Sequence, residues 1–357
     1  MISDVQREDV EVLLGEALPW GALAGRSILV TGATGMVGQY LIHTLLAVRD
    51  RTAPARIIAM TRRGEVARDL FSRDPRAGAL EILVHDPAQP LPPLPPLDYI
   101  VHAASPADPA AFRRDPVGVI AANALGSARL LEAARERGAV FCLLSSAEVY
   151  GQAKPDGGER ISEEAAGVLD SLDLRSAYPE SKRLAETLCV AFGHQHGVGY
   201  RIARLAHTYG PGMSLEDPRV QTYFMRQALT GQDIVLLSSG EARRSYTYVS
   251  DAVCGVLHLI TAPENLTCNV ANEKATVSIA ELARAVLARC PGTRAQLRFA
   301  PGQPETIRTV APPLLDCSRL RALGWKPRVS LDQGIDRTLR HHRAWQRPAR
   351  RGVAVAD

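Results

Sequence analysis

The segment RSILVTGATGMVGQYLIHTLLAV, residues 26–48, constrains this chain more than any other. An apolar run, SILVT, leads into three glycines at intervals of three, Gly32, Gly35 and Gly38, and then into apolar residues at helical spacing. A strand without polar alternation is buried on both faces, as in a parallel sheet. The glycines allow a tight turn and a close approach of ligand to backbone. The helix that follows presents free N–H groups to an anion. A glycine turn in the first strand–turn–helix unit predicts a dinucleotide site with its pyrophosphate at that helix N-terminus.

The alternation continues. RIIAMT (56–61), EILVHD (81–86), DYIVHAAS (98–105), VFCLLSS (140–146) and YRIARLA (200–206) read as strands, with helices over 117–136 and 177–196. This pattern predicts an α/β fold with a doubly wound parallel sheet. PAQPLPPLPPL (87–97) carries too many prolines to enter a sheet and reads as an extended surface loop. Beyond residue 206 the rhythm loosens into a helix at 218–230, short strands near 233–237 and a helix at 278–290, the pattern of a smaller α/β second lobe. The expected division is a helical appendage at 1–25, capped by Ser3 and Asp4 and running to about Leu18, and a dinucleotide-binding domain at 26–205. A mainly substrate-binding lobe follows at 206–345, with 246–267 returning to the first domain, and a tail at 346–357.

Composition removes several function classes. Forty-two basic and 38 acidic residues are interspersed, so no basic face invites nucleic acid. Six well-separated cysteines form no C-x-x-C pair; they read as small buried residues in a reducing compartment, without disulfides or metal. The first twenty residues lack the basic and apolar halves of a signal peptide, and no apolar run reads as a membrane span. A soluble cytoplasmic protein is expected.

Which dinucleotide binds is left open by the end of the second strand. An acid there would hold the ribose 2′-hydroxyl of NAD; the chain reads Thr61-Arg62-Arg63 instead. Either arginine can hold a 2′-phosphate or lie along the adenine, so NAD is the expected cofactor with NADP still open. Asp86 is a candidate for the adenine amino group, or a cap for the next turn.

Tyr178 and Lys182 are four apart and share a helix face. An ammonium beside the phenol, with the positive nicotinamide ring, would favour the phenolate. Such a tyrosine takes a proton from a sugar hydroxyl while hydride leaves the same carbon. Ser146, at a strand end, would hydrogen-bond that oxygen.

TGATGMVG, HAAS, Ser146 and Tyr178-Pro-Glu-Ser-Lys182 together resemble the extended short-chain dehydrogenase/reductase family, over about residues 26–343. Within it, HAASPADPAAFRRDPVGVIAANALGS, AEVYG, YPESKRLAETLC, RIARLAHTYGPGM, DPRV, RSYTYVSD and LGWKP are most similar to UDP-glucuronate decarboxylases. The resemblance implies an NAD-binding domain, a C-terminal substrate lobe and a homodimer formed through the helices that include Tyr178 and Lys182. It implies dinucleotide contacts from Thr34, Met36, Val37, Ala103, Ala104 and Asn123 beside the glycines, and substrate contacts from Ser105 and Pro106. It also implies that Glu148 and Arg244 work together, the arginine receiving a sugar carboxylate. With C4 oxidised to a ketone, a C6 carboxylate becomes that of a β-keto acid and carbon dioxide can leave.

The chain departs from that pattern in places. Ala147 stands where the decarboxylases carry a small hydroxyl residue and many 4,6-dehydratases an aspartate. His207 replaces an asparagine that touches the sugar diphosphate; it is a phosphate ligand or a mark of another sugar or nucleotide. DIVLLSSG lacks the usual aromatic near the base, so uracil is an assumption. Arg219 and Arg308 resemble pyrophosphate contacts or are solvated arginines. The expected activity is oxidation at C4, decarboxylation of UDP-glucuronate or a related nucleotide-sugar acid, and reduction. The rivals are a 4-epimerase or a 4,6-dehydratase acting on a different nucleotide sugar, and then a non-catalytic dinucleotide-binding scaffold.

Overall fold

The computed structural model describes residues 2–72, 74–107, 109–153, 160–300 and 314–346. The chain begins with helix α1 (Asp4–Leu14). It then alternates β1 (Ser27–Thr31), α2 (Met36–Thr52), β2 (Arg56–Thr61), α3 (Gly64–Phe71), β3 (Leu80–Val84), β4 (Tyr99–His102), α4 (Pro109–Arg114), α5 (Pro116–Arg137), β5 (Val140–Ser146), α6 (Ala177–His196) and β6 (Tyr200–Leu205). There follow β7 (His207–Tyr209), α7 (Val220–Thr230), β8 (Ile234–Leu236), β9 (Arg243–Tyr248), α8 (Val249–Ile260), β10 (Leu266–Val270), β11 (Thr276–Ser278), α9 (Ile279–Ala288), β12 (Leu297–Phe299), α10 (Ser318–Ala322) and α11 (Leu331–Gln346).

Seven strands form one sheet in the order β10-β6-β5-β4-β1-β2-β3, every neighbouring pair parallel. The chain therefore runs from β1 out through β2 to β3 and then crosses back to β4 on the other side of β1. The switch point that opens a ligand crevice at the strand C-termini lies beside β1. Successive β1 residues face opposite layers. Ile28 and Val30 join the core that includes α2 and α8, and Leu29 joins the core that includes α5 and α6. All five β1 positions are buried, as an unbroken apolar run requires. The edge strand β3 is half exposed along its length, which explains the mixed character of EILVHD and its end at Val84 rather than Asp86.

Two smaller sheets accompany the large one. In β7-β9-β11, His207 lies in register with Tyr246; β8 pairs with β12. Strand β10 lies far along the sequence, yet it completes the large sheet beside β6.

Three expectations change in detail. Helix α1 stops at Leu14, where Gly15 ends it, rather than near Leu18. It is also tied into the body: buried Asp9 accepts hydrogen bonds from Tyr40 and Tyr248 at 2.7 Å each and pairs with Arg337. The proline-rich loop runs along the surface but buries Leu94 and Leu97 in the α5–α6 core, which pins it down. Helix α5 is, by length and composition, long and apolar enough to cross a membrane, contrary to the sequence reading; half of that window is buried inside the protein. All six cysteines are buried free thiols, and among the described residues no cluster of His, Cys, Asp and Glu could hold a metal ion.

Candidate active site

The glycine turn is built as a cradle. Gly32 has φ +64, and a Cβ there would stand 2.6 Å from the Ala103 carbonyl oxygen at the end of the neighbouring strand β4. At Gly38 a Cβ would stand 2.2 Å from the Gly32 oxygen, so helix α2 can rest on its own turn only with glycine at that position. Gly35 is the N-cap of α2 and offers no side chain, leaving the N–H groups of Met36, Val37 and Gly38 without intrahelical acceptors. Thr31 draws β4 close, with Oγ1 2.8 Å from His102 Nδ1 and accepting from the Ala104 N–H at 3.1 Å. Ala103 and Ala104 therefore form the opposite wall of the turn, continuing into Ser105 and Pro106. On α5, Asn123 is fully buried and donates to Ser181 Oγ at 2.9 Å, while its Oδ1 is buried without a partner. A bare turn, free helix amides and an unused buried acceptor fit a bound dinucleotide.

Around the adenosine end, Asp86 accepts from the Ala88 N–H at 2.9 Å, so it caps the next turn, and it also faces Arg62 at 3.5 Å. Thr34 binds the hydroxyl of Thr61 at 3.2 Å and the guanidinium of Arg63 at 3.0 Å.

The chemistry-bearing side chains meet where β5 ends and α6 begins. Ser146 Oγ accepts from the Glu148 N–H at 3.2 Å and caps the short 3-10 turn Ala147–Tyr150. Its own O–H is left to donate elsewhere. Burial pushes the Glu148 carboxyl up toward its neutral form, and Arg175 and Arg244 pull it back. Arg244 projects from β9, half-buried; burial lowers its pKa while Tyr246 and Glu148 raise it. His207, on β7, is held neutral, its pKa pushed down to about 3 by burial and by the charges of Arg244 and Arg219. Its Nε2 is buried without a partner, as is the Tyr246 hydroxyl. A phosphate would therefore meet His207 as an uncharged N–H donor. Arg219 is engaged with Asp217 at 2.9 and 2.7 Å, close enough to act electrostatically on Tyr178 and His207. Arg308 lies outside the described residues.

The Tyr178–Lys182 pair differs from the sequence expectation in one respect. The Tyr178 phenol is held well above its ordinary range, because burial dominates and the Glu148 charge adds to it, with Ser146 hydrogen bonding opposing. Lys182 does not offset this: Nζ donates to the Leu144 carbonyl at 2.7 Å and lies 6.0 Å from the phenol ring centre. Burial lowers the ammonium itself to about 7, with Glu186 opposing. Phe112, on α4, stacks on the Tyr178 ring at 4.5 Å and 15°. Phe112, Arg175 and Tyr246 escaped the sequence reading. Their tie to the site is purely tertiary, and only the position of Arg175, three residues before Tyr178, hinted at one.

A parallel sheet with a glycine cradle at its switch point and a Ser, Tyr and Lys set at the next strand end defines a nicotinamide-dependent oxidoreductase-type fold. The chain belongs to the NAD dependent epimerase/dehydratase family, whose model matches residues 28–272. It is 31% identical over 318 residues to UDP-glucuronic acid decarboxylase 1 of Xenopus tropicalis, covering 89% of this chain and 72% of that protein. It is likewise 31% identical over 313 residues to UDP-glucuronic acid decarboxylase 6 of Arabidopsis thaliana, covering 86% of each. In fold it is similar to the dTDP-glucose 4,6-dehydratase of Streptomyces venezuelae solved with NAD bound, with TM-score 0.75, 21% identity, and 90% and 99% of the two chains covered.

Proposed function

We propose that the chain decarboxylates a nucleotide-linked sugar acid, UDP-glucuronate or a close relative, by oxidation at C4, loss of C6 as carbon dioxide, and reduction at C4. The observation that carries this reading is Glu148, a carboxyl held toward neutrality by burial and placed among Arg175, Arg244 and the Tyr178 phenol. The relatives named as UDP-glucuronic acid decarboxylases support the choice of sugar acid.

NAD, when bound, supplies the acceptor and then the donor of the C4 hydride, together with a positive ring charge that favours the Tyr178 phenolate. Tyr178 takes the C4 hydroxyl proton and later returns it, and Ser146 donates to the same oxygen. Lys182 adds cationic charge below about pH 7 and loses it above. Arg244 receives the sugar carboxylate in a charge-assisted contact. Once C4 is a ketone, the C5–C6 bond breaks with its electrons delocalised toward the C4 oxygen; Glu148, whose carboxyl burial pushes toward its neutral form, is the acid proposed to deliver a proton to C5.

Exposed apolar side chains on α5 (Val117, Ile120, Leu125) and α6 (Leu184, Val190) support a homodimer formed through these helices. The six buried free thiols support a reducing, cytoplasmic setting. The test is incubation with UDP-glucuronate carboxyl-labelled with carbon-13. Labelled carbon dioxide and a UDP-pentose are expected. Turnover of UDP-glucose or UDP-galactose with no carbon dioxide from UDP-glucuronate would replace this reading with a 4-epimerase.

A further inference from the structure

The turn after β2 carries a feature that sugar chemistry does not use. Strands β1 and β2 are parallel neighbours, and the Ala33 N–H donates to the Met60 carbonyl at 3.3 Å, so the end of β2 stands beside the glycine turn. An adenosine ribose attached to a pyrophosphate at the α2 N-terminus reaches this point. A ribose diol is best held by a carboxylate that accepts from both hydroxyls. Here the last β2 residue is Thr61, a hydroxyl, and the next two are Arg62 and Arg63.

Thr61 Oγ1 accepts from the Arg63 N–H at 3.1 Å and contacts Thr34 Oγ1, which also accepts from the Arg63 guanidinium at 3.0 Å. The bond from Arg63 to Thr34 is to a neutral group and leaves the guanidinium charge uncompensated. Arg62 lies 3.5 Å from Asp86 with its side chain 71% exposed, a loose and solvent-screened pair. Two guanidiniums and one carboxylate leave this corner positive by one charge, whereas a carboxylate-tipped strand would make it negative. A diol gains little from guanidiniums; a phosphate dianion gains charge-assisted, forked hydrogen bonds.

We propose that the β2–α3 turn is a 2′-phosphate subsite, with Arg62 and Arg63 as its ligands, and that the chain binds NADP at least as tightly as NAD. The inference rests on the dinucleotide reading of the glycine turn and is independent of which sugar is processed. A nucleotide-sugar enzyme that returns its hydride within one cycle has no need to discriminate between the two pools, and the end of β2 carries no acid of its own to exclude the phosphate.

The purified full chain is dialysed against equimolar NAD and NADP until the bound ratio is constant, then desalted, and the retained nucleotides are quantified by mass spectrometry. Retention of NADP equal to or above NAD is expected. The Arg62→Asp variant, which restores an acid at an exposed position, should swing the ratio toward NAD by about tenfold or more. Calorimetric titration should show adenosine 2′,5′-bisphosphate binding more tightly than 5′-AMP, with that advantage lost in Arg62→Ala. Retention of mainly NAD, or an Arg62→Asp ratio equal to the parent's, overturns the proposal. Since no sugar is present, failure of the decarboxylase reading leaves this result untouched, and loss of both nucleotides would instead overturn the dinucleotide site itself.

Discussion

Arg204 is the perturbation from which most can be worked out. Its guanidinium, on β6, donates to Glu186 at 3.0 and 2.7 Å, to the Tyr150 hydroxyl at 3.0 Å and to the Glu163 carbonyl at 2.9 Å, and it lies 4.9 Å over the Tyr150 ring. Glu186 also accepts from Ser145 Oγ at 2.6 Å. The network thus fastens the residue before Ser146, and Tyr150 two positions beyond Glu148, to the turn of α6 that follows Lys182. Arg204→Met keeps the stem and removes four hydrogen bonds, leaving the Glu186 carboxylate with Ser145 alone in a site where the two side chains are 14% and 11% exposed. Stranding a buried charge in this way costs roughly 3–5 kcal/mol, a large share of the ~5–15 kcal/mol that holds a domain together. Removing the stranded charge as well, in Glu186→Gln/Arg204→Met, should recover about half of that loss, since a buried pair replaced by neutral groups is often close to neutral in stability. The assay is urea unfolding of the parent, both single variants and the double variant, read as a double-mutant cycle. Additive losses, or an Arg204→Met cost below about 1 kcal/mol, would refute the claim that this pair clamps the two halves of the site together.

Tyr178→Phe should lower kcat by roughly 10²–10⁴-fold, the range of a lost general acid–base, while UDP-sugar affinity measured by calorimetry stays close to the parent value. Glu148→Gln keeps the shape and removes the acid; UDP-pentose formation should fall by a similar factor while carbon dioxide is still released and the decarboxylated 4-keto nucleotide sugar accumulates, seen by mass spectrometry. Stability should fall in mild acid. His341 and His342, packed ring to ring at 5.1 Å, are each lowered to about 4 by burial, with charge from His342 and the N-terminus adding at His341. Their folded pKa lies below the ordinary ~6.5 of an unfolded histidine, so the unfolded chain takes up protons first; the stability is complete above pH 6.5 and drains away as pH drops toward 4. Each ring should cost about 2 kcal/mol between pH 7 and 5. His342→Gln should remove about one ring's share of that slope in urea titrations at the two pH values, and an unchanged slope would show that the ring is not a buried neutral group.

Much of the fold is legible because its signals are local. RIIAMT, VFCLLSS and the helix at 177–196 occupy the spans that their apolar runs predict, and the last of these is closed by Gly197 in the left-handed region that glycine favours. The seventh strand, β10, is not legible as a partner of β6. Some sixty residues intervene, and nothing in LTCNV names its neighbour. The site divides along the same line. Glycines, Tyr178 and Lys182 announce themselves by spacing, whereas Phe112 on the Tyr178 ring and Arg175 beside Glu148 exist only once α4 and the start of α6 are packed. The resting ionisation of Tyr178, before any nicotinamide charge is added, is not legible in spacing for a related reason. Helical spacing says which groups share a face, but the balance between burial and a neighbour's charge is set by the enclosure around them.

Glu148 shows what the enclosure adds. In AEVYG, an acid two residues past a strand end could serve only to cap the following turn, and a capping carboxylate would be solvated, ionised and chemically idle. In the folded chain the capping belongs to Ser146, whose Oγ accepts the Glu148 N–H and closes the Ala147–Tyr150 turn. The Glu148 side chain is thereby released from backbone duty and pushed toward its neutral form by burial, with the two arginines opposing. A half-buried carboxyl that is pushed toward its neutral form and does not cap the turn is a costly structural element, since glutamine would fill the same place with less desolvation. Its placement among the Tyr178 phenol and two guanidiniums is the observation on which the proposed proton delivery rests.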